Sequence, residues 1–187
     1  VAGSDGARLS ADLARIEARD QGLVAGYYRG HPFIHVPGVV GELSTGRVLT
    51  TELATGARFA EVKTWSQEQR NLAAETIYRF VFGSLYRLGA FNGDPHPGNY
   101  LFGPDGRVTF LDFGLVKRFS AEDLEPFERM LRAMVMDRDV AAYRLIVEEV
   151  GLLRPDPAFT DEQIGEYFGH FYEFVLEYGE VEITQEY

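Results

Sequence analysis

The most informative stretch of this sequence is NGDPHPGNYLFGPDGRVTFLDFG, residues 92–114. It begins as a rigid loop with two prolines and continues as two apolar runs, NYLF and RVTFL, joined by the turn GPDG. A turn sequence between runs rich in β-branched and aromatic residues predicts a β-hairpin. Because a hairpin returns the chain to the level at which it started, we expect Asp112 to lie beside Asn99 and Asp94.

These three residues would place oxygen-bearing side chains around one point. The chain has 18 Lys+Arg against 29 Asp+Glu, a formal charge of -11, so such a cluster is unfavourable unless a cation occupies it. Carboxylate and amide oxygens, completed by phosphates and water, suit Mg2+. In phosphoryl transfer a carboxylate and an amide hold the metal, and a second carboxylate orients the attacking hydroxyl. The stretch therefore predicts a metal-dependent phosphate site.

Composition excludes several other functions. The acidic balance repels nucleic-acid phosphates, so a general DNA or RNA binder is not expected. The absence of cysteine excludes disulfides, thiolate nucleophiles and cysteine zinc sites. No apolar run approaches the roughly 18 residues that cross a bilayer. The N-terminus has neither a signal-peptide pattern nor an initiator methionine, so we expect a cytoplasmic or peripherally membrane-bound protein and a chain that is a fragment or processed product.

The predicted elements follow the order helix, hairpin, long helix, hairpin and further helices, which is an α+β arrangement. Leu9, Leu13 and Ile16 fall at helical spacing and predict an amphipathic first helix. The runs FIHVPGVVGEL and RVLTTEL, separated by STG, predict an upstream hairpin. Capping-box patterns predict where three later helices begin: Ser66 with Gln69, Ser120 with Asp123, and Thr160 with Gln163.

Two stretches carry a family resemblance. GDPHPGN with FLDFG, and the upstream segment GHPFIHVPGVVGELSTGRVLTTEL, resemble the atypical kinases of ubiquinone biosynthesis, the UbiB type. The resemblance covers residues 9–150. It implies a protein-kinase-like fold, present here as part of the small lobe (1–53) and, after a hinge, the mostly helical large lobe (54–187). It also implies ATP and Mg2+ as cofactors and a role in quinone-lipid metabolism.

The same resemblance implies roles for individual residues. Asp94 matches the catalytic-loop aspartate, Asn99 the metal-binding asparagine, and Asp112 the metal ligand of the Asp-Phe-Gly motif. Glu17 lies on the first helix, where the glutamate of a kinase αC helix would sit. The backbone of three hinge residues would bind adenine: Glu52, Leu53 and Ala54.

The sequence departs from a protein kinase in two ways. A kinase holds the nucleotide phosphates with a lysine that precedes the αC helix, whereas Lys63 and Lys117, the only lysines, both follow Glu17. We therefore expect the isolated chain to be inactive, although its parent is expected to be a kinase or ATPase. Only residues 115–119 separate Asp-Phe-Gly from the Ser120 cap, which leaves no room for a peptide-binding segment. We expect a small molecule, a lipid or water as acceptor.

Two other interpretations stay open. Phosphotransferases of the aminoglycoside or choline kinase type share the Asp-x4-Asn plan, but they usually carry His-Gly before the aspartate, where this chain has Asn92-Gly93. The non-catalytic alternative is a pseudokinase-like scaffold that binds nucleotide in order to switch shape.

Three weaker signals complete the sequence-based predictions. His96 is expected to be a structural residue of its loop, and Arg118 a solvated surface charge more than a phosphate ligand. The last helix, IGEYFGHFYEFVLEY, has two adjoining apolar rows. Core packing is expected for this helix, and contact with lipid or a partner protein is the alternative.

Overall fold

The protein is represented by a computed structural model that describes residues 3–154, 159–172 and 175, with residues 3–12 described by their backbone alone. The described helices are α1 (Gly3–Tyr27), α2 (Phe59–Val62), α3 (Gln67–Leu88), α4 (Ala121–Leu131), α5 (Val140–Glu149) and α6 (Asp161–Gly169). The described strands are β1 (Ile34–His35), β2 (Ala90–Asn92), β3 (Tyr100–Phe102), β4 (Val108–Phe110) and β5 (Val116–Arg118). The predicted mixture of helix and strand is confirmed.

The hairpin predicted within residues 92–114 is present. Strand β3 pairs antiparallel with β4, with Tyr100 opposite Phe110 and Phe102 opposite Val108. Strand β1 pairs with the other edge of β4 in parallel, with Ile34 opposite Val108. Every residue of β3 and β4 is buried, because helices and loops cover both faces of this small sheet.

Helices α1 and α3 are joined through the aromatic core of this sheet. Phe80 of α3 stacks on Phe110 of β4, with ring centroids 3.6 Å apart. The Tyr28 hydroxyl, just after α1, forms a 3.0 Å hydrogen bond with the Ser84 hydroxyl of α3. The C-terminal end of α1 is therefore fixed to α3 by both packing and a buried hydrogen bond.

Where its side chains are described, helix α1 is buried along its later turns and exposed along its earlier ones. Leu13 and Ile16 are 52% and 42% exposed, whereas Asp20, Gln21 and Val24 are at most 2% exposed. The apolar spacing predicted the helix correctly. Ile16, Asp20 and Val24 follow one another at spacings of four residues and so lie on one face, of which the later part is buried. Spacing identifies an apolar row, but it does not say how much of that row the rest of the chain covers.

The upstream hairpin does not form as two regular strands. The one ladder pairing between its two runs is an isolated antiparallel bridge between Val39 and Thr51, next to a 2.8 Å hydrogen bond from Val40 N–H to Thr50 C=O. Pro37 has no N–H to donate, and a short 3-10 turn at Gly41–Leu43 bends the chain. Residues 38–54 are therefore an irregular segment, called here the upstream loop.

All three capping-box predictions are confirmed. The hydroxyls of Ser66, Ser120 and Thr160 each accept a hydrogen bond from the backbone N–H three residues later. In each case the side chain at that position returns a bond to the backbone N–H of the cap. These caps satisfy N–H groups that the first turn of a helix otherwise leaves unpaired.

The chain divides into two compact units, Val1–Phe119 and Ser120–Tyr187. Contacts do not thin out at residue 53, where the lobe boundary was predicted. Instead, β1 pairs with β4 and Tyr28 bonds to Ser84, so both sides of that boundary pack within the first unit. The assignment of 1–53 and 54–187 as lobes remains a prediction.

The second unit has its own apolar core, which includes Met130, Tyr143, Val147 and Ile164. One predicted row of the last helix packs against this core: Ile164, Phe168 and Tyr172. The other row is exposed, by 67% at Tyr167, 62% at Phe171 and 39% at Val175. Residues 173–174 and 176–178 of that predicted helix lie outside the described residues. Across the described chain, no helix is both long and apolar enough to span a bilayer.

Candidate functional site

Two of the three predicted oxygen donors are in direct contact. The Asn99 side-chain N–H donates to the Asp94 carboxylate over 3.2 Å and to the Asp94 backbone carbonyl over 3.3 Å. Because the Asn99 amide uses its nitrogen in these bonds, its oxygen remains available to a ligand. The predicted pairing of Asp94 with Asn99 is thus observed in the geometry.

The loop between them is held in one shape by its own residues. His96 caps the short 3-10 turn Pro97–Asn99, and its Nδ1 accepts a 3.0 Å hydrogen bond from Gly98 N–H. A Cβ at Gly98 would lie 2.9 Å from that same nitrogen, so a side chain there would displace the imidazole. These contacts support the structural role that was expected for His96.

Asn92 connects this loop to the Asp-Phe-Gly motif, and sequence reasoning did not assign it that role. Its Oδ1 accepts a 3.0 Å hydrogen bond from Asp94 N–H, and its Nδ2 donates a 2.8 Å bond to the Asp112 carbonyl. A second link runs from Leu111 N–H to the Asn99 carbonyl, at 2.9 Å. An asparagine two residues before an aspartate is a signal for the first of these bonds, but the bond to Asp112 depends on the tertiary fold.

Asp112 is therefore placed by its backbone, and its side chain is oriented by its own turn. One carboxylate oxygen, Oδ1, accepts a 2.9 Å hydrogen bond from Gly114 N–H, which leaves the other oxygen to a ligand. No group of three or more carboxylate, histidine or cysteine side chains gathers anywhere in the described residues. Two carboxylates with one amide would be the smaller kind of set that binds Mg2+ together with phosphates. The assignment of Asn99 and Asp112 as metal ligands remains a prediction.

Glu17 lies beside the Asp-Phe-Gly motif, where the resemblance predicts the αC glutamate. A Cβ built on Gly114 would be 3.3 Å from Oδ1 of Asp112 and 3.7 Å from Oε2 of Glu17. Burial raises the pKa of Glu17, the nearby Asp112 charge raises it further, and a hydrogen bond with the Phe113 backbone opposes both. Two neighbouring carboxylates of this kind are stabilised by a cation.

Neither lysine of the chain supplies that cation. The Lys63 ammonium lies 5.3 Å from the centre of the Phe59 ring, and the Lys117 ammonium lies 4.7 Å from the centre of the Phe119 ring. Both are cation–π contacts with neighbouring residues.

The predicted hinge residues lie at the end of the upstream loop. Glu52 is anchored there, because its carboxylate accepts a 2.9 Å hydrogen bond from Gly38 N–H and its own N–H donates 2.9 Å to the Gly38 carbonyl. The Leu53 side chain is 93% exposed, and Ala54 is half-buried. Adenine binding by the backbone of these three residues remains a prediction.

Arg118 is exposed, as expected, but its charge is also paired. Its guanidinium donates a 2.9 Å hydrogen bond to Oδ1 of Asp20 on α1, a carboxylate that is 1% exposed. No sequence pattern indicated this pair, because the two residues are 98 positions apart.

Comparisons with known proteins agree with this geometry. The sequence profile of the ABC1 atypical kinase-like domain matches residues 11–146. The chain is 34% identical over 110 residues to the rat protein "Atypical kinase COQ8B, mitochondrial", a match covering 58% of this chain and 21% of the relative. It is 31% identical over 152 residues to an uncharacterized protein of Synechocystis, covering 76% of this chain and 21% of the relative.

A solved structure is also similar. It is the complex of Rv3197 with erythromycin, from Mycobacterium tuberculosis, with a TM-score of 0.72 and 28% identity. The match covers 89% of this chain and 42% of that one. The chain thus spans about a fifth of the length of the two curated relatives. The profile match over most of the sequence, on a fold shared with Rv3197, confirms the predicted relationship: this chain belongs to the ABC1 atypical kinase-like family.

Proposed function

We propose that this chain provides the metal and acceptor side of a Mg2+–ATP site in an atypical kinase or ATPase of the UbiB type, linked to quinone-lipid metabolism. Asn99 and Asp112 would hold the metal, and Asp94 would orient the acceptor. The backbone of Glu52, Leu53 and Ala54 would bind the adenine.

The observation that supports this proposal best is the hydrogen-bond network centred on Asn92. It joins the Asp94 backbone to the Asp112 backbone through a single side chain. The Asn99 side chain extends the same network to the Asp94 carboxylate. The side chains that bind the metal and orient the acceptor must be held in fixed positions before the reaction begins. Hydrogen bonds of this kind restrict the positions of Asp94, Asn99 and Asp112.

The side chains present fit a magnesium–nucleotide group. The Asn99 amide oxygen and the second Asp112 oxygen are hard ligands that the surrounding hydrogen bonds leave available. When bound at these residues, Mg2+ would supply positive charge that offsets the negative charge of the nucleotide phosphates. Asp94 would accept a hydrogen bond from the attacking hydroxyl or water and so align its oxygen.

The acceptor that we propose is a small molecule, a lipid or water. The segment after Asp-Phe-Gly is short and already paired, because β5 runs antiparallel to β2 with Asn92 opposite Val116 and Ala90 opposite Arg118. It therefore offers no extended platform for a peptide. Rv3197, which shares the fold, is known with erythromycin, which is compatible with a small-molecule ligand for the family.

Calorimetric titration of this chain with Mg2+–ADP tests the proposal. Asp112→Asn should weaken the affinity about tenfold or more, since it removes one metal-binding charge. Asp137→Asn is the matched control, because Asp137 is an exposed aspartate of the second unit. Equal affinity in the Asp112→Asn variant and the wild type, or no binding by the wild type at millimolar nucleotide, would contradict the proposed function.

A non-catalytic function is the second candidate, and the positions of the lysines favour it for this chain alone. Both ammonium groups lie over aromatic rings of their own neighbourhoods, so Glu17 has no lysine partner here. The chain would then bind a metal–nucleotide without transferring phosphate. Release of phosphate from ATP at the rate of an active kinase would exclude this candidate, whereas binding without turnover would favour it.

A further inference from the structure

The ion pair between Arg118 and Asp20 is the starting point for a further inference. Asp20 is 1% exposed, and its Oδ1 accepts a hydrogen bond from Arg118 over 2.9 Å. Arg19 donates to the same oxygen over 3.1 Å. The Arg118 side chain is 34% exposed and the Arg19 side chain 66%. A buried carboxylate is thus shared by one partner on its own helix and one on a distant strand.

The two ends of this pair lie next to the candidate site. Asp20 is one helical turn after Glu17 on α1, so both point to the same side of the helix. Arg118 is in β5, directly after the Asp-Phe-Gly motif, and Ala90 pairs with it in β2, the strand that leads to Asp94. The pair therefore ties the helix that carries Glu17 to the strands that carry the ends of the site loop.

Charge neutralisation alone does not explain why Arg118 is used. An ionised carboxylate needs a partner once it is buried, and Arg19 already provides one from within α1. A contact inside one helix cannot hold that helix against another element. Among the ion pairs of the described residues, Arg118–Asp20 is the one that connects α1 to a different element.

We propose that the Arg118–Asp20 pair is a positioning device that holds α1 against β5 and so keeps Glu17 beside Asp112. This inference rests on the proposed function for its consequence, which is a metal–nucleotide site with a fixed arrangement of carboxylates. Neither residue contacts the reacting groups; they act through the position of α1.

The deciding experiment compares Arg118→Gln with Arg19→Gln by hydrogen–deuterium exchange of the nucleotide-free chain. Both variants remove one donor from the same Asp20 oxygen, but only the first breaks the link between elements. We expect faster exchange in α1 and in residues 112–118 for Arg118→Gln, and wild-type exchange there for Arg19→Gln. Arg118→Lys keeps the charge and should recover most of the protection. If hydrogen exchange in α1 and in residues 112–118 is equal in Arg118→Gln and Arg19→Gln, the proposal is overturned.

A second measurement separates this proposal from the proposed function. The Kd for Mg2+–ADP should rise about tenfold in Arg118→Gln and stay near the wild-type value in Arg19→Gln, as expected when a supporting contact of a metal site is lost. If the wild type binds no Mg2+–ADP, the proposed function fails, while the exchange data still decide whether the pair positions α1. If Arg118→Gln does not fold, the double variant Asp20→Asn/Arg118→Gln, which has no unpaired buried charge, takes its place in both measurements.

Discussion

The upstream loop (38–54) and the site segment (90–119) have similar sequences in one respect: both contain apolar runs separated by turn residues. The site segment forms a hairpin whose strands are fully buried. The upstream loop forms one isolated bridge and keeps Val48 and Leu53 54% and 93% exposed. Turn residues therefore indicate where a hairpin is able to form, but burial of both faces of its strands is what stabilises the hairpin.

The largest difference between these regions should appear on truncating a large side chain. Phe110→Ala removes a ring that is 0% exposed and stacked on Phe80, and it should lower the free energy of unfolding by about 3–5 kcal/mol. Val48→Ala in the upstream loop should cost less than about 0.5 kcal/mol. Urea denaturation of the two variants checks this expectation. Similar losses in both would mean that the upstream loop is as well packed as the hairpin.

Replacing a glycine with alanine should have the next largest effect, and the change in stability should differ between the two turns. Gly106 has a φ of +84° and its Cβ would lie 2.8 Å from Leu72 Cβ, so Gly106→Ala should destabilise the chain by about 1–3 kcal/mol. Gly41, at the 3-10 turn of the upstream loop, has open space around it, and Gly41→Ala should be neutral or stabilising by up to about 1 kcal/mol. Thermal unfolding of both variants measures the difference in stability. A loss of stability in Gly41→Ala would contradict this prediction.

Asn92→Ala tests how far the stability of the site segment depends on one polar side chain. The change removes the bonds to Asp94 N–H and to the Asp112 carbonyl, and we expect a loss of about 1–2 kcal/mol in unfolding free energy. The Kd for Mg2+–ADP should rise about tenfold, as for other residues that support a metal ligand. Gln67→Ala, which removes an exposed contact on α3, is the control. An unchanged Kd would show that the metal ligands do not need this link.

Ser44→Ala should have a smaller effect than Phe110→Ala, Gly106→Ala or Asn92→Ala. Ser44 is half-buried; its hydroxyl donates to the Val40 carbonyl over 2.9 Å and accepts from Thr50 N–H over 3.0 Å. Loss of both hydrogen bonds should lower the free energy of unfolding by about 1 kcal/mol, and the Kd for Mg2+–ADP should not change. Chemical denaturation with a parallel titration checks both parts. A higher Kd would indicate that the upstream loop affects nucleotide binding more strongly than expected from its exposure.

Much of the fold was predictable where a local pattern coincides with a local physical cause. The three capping boxes are confirmed because the bonds join residues three apart in sequence. The 100–110 hairpin is confirmed because its turn and its runs agree. One prediction, the regular upstream hairpin, was wrong because the outcome depended on distant neighbours. The extent of burial along α1 also depended on distant neighbours and did not follow from its apolar spacing.

The same division applies to the candidate site. The sequence alone singled out Asp94, Asn99 and Asp112 as candidate oxygen donors, since each residue is recognisable from its neighbours and its distance to a turn. Their catalytic and metal-binding roles remain predictions. Asn92 was not assigned its bond to the Asp112 carbonyl, because that bond joins residues 20 positions apart. Arg118 was assigned to solvent because nothing near it in sequence is its partner.

The amino-acid sequence by itself determined the family, the helix caps and the hairpin, and it singled out the candidate oxygen donors, because these follow from short-range hydrogen bonding and from motifs of fixed spacing. Only the tertiary structure decided which part of α1 is buried, that Glu17 lies beside Asp112, and that Asp20 is paired with Arg118. The physical reason is that burial is a property of the assembled chain. A carboxylate or an apolar row acquires its neighbours only when distant segments pack around it.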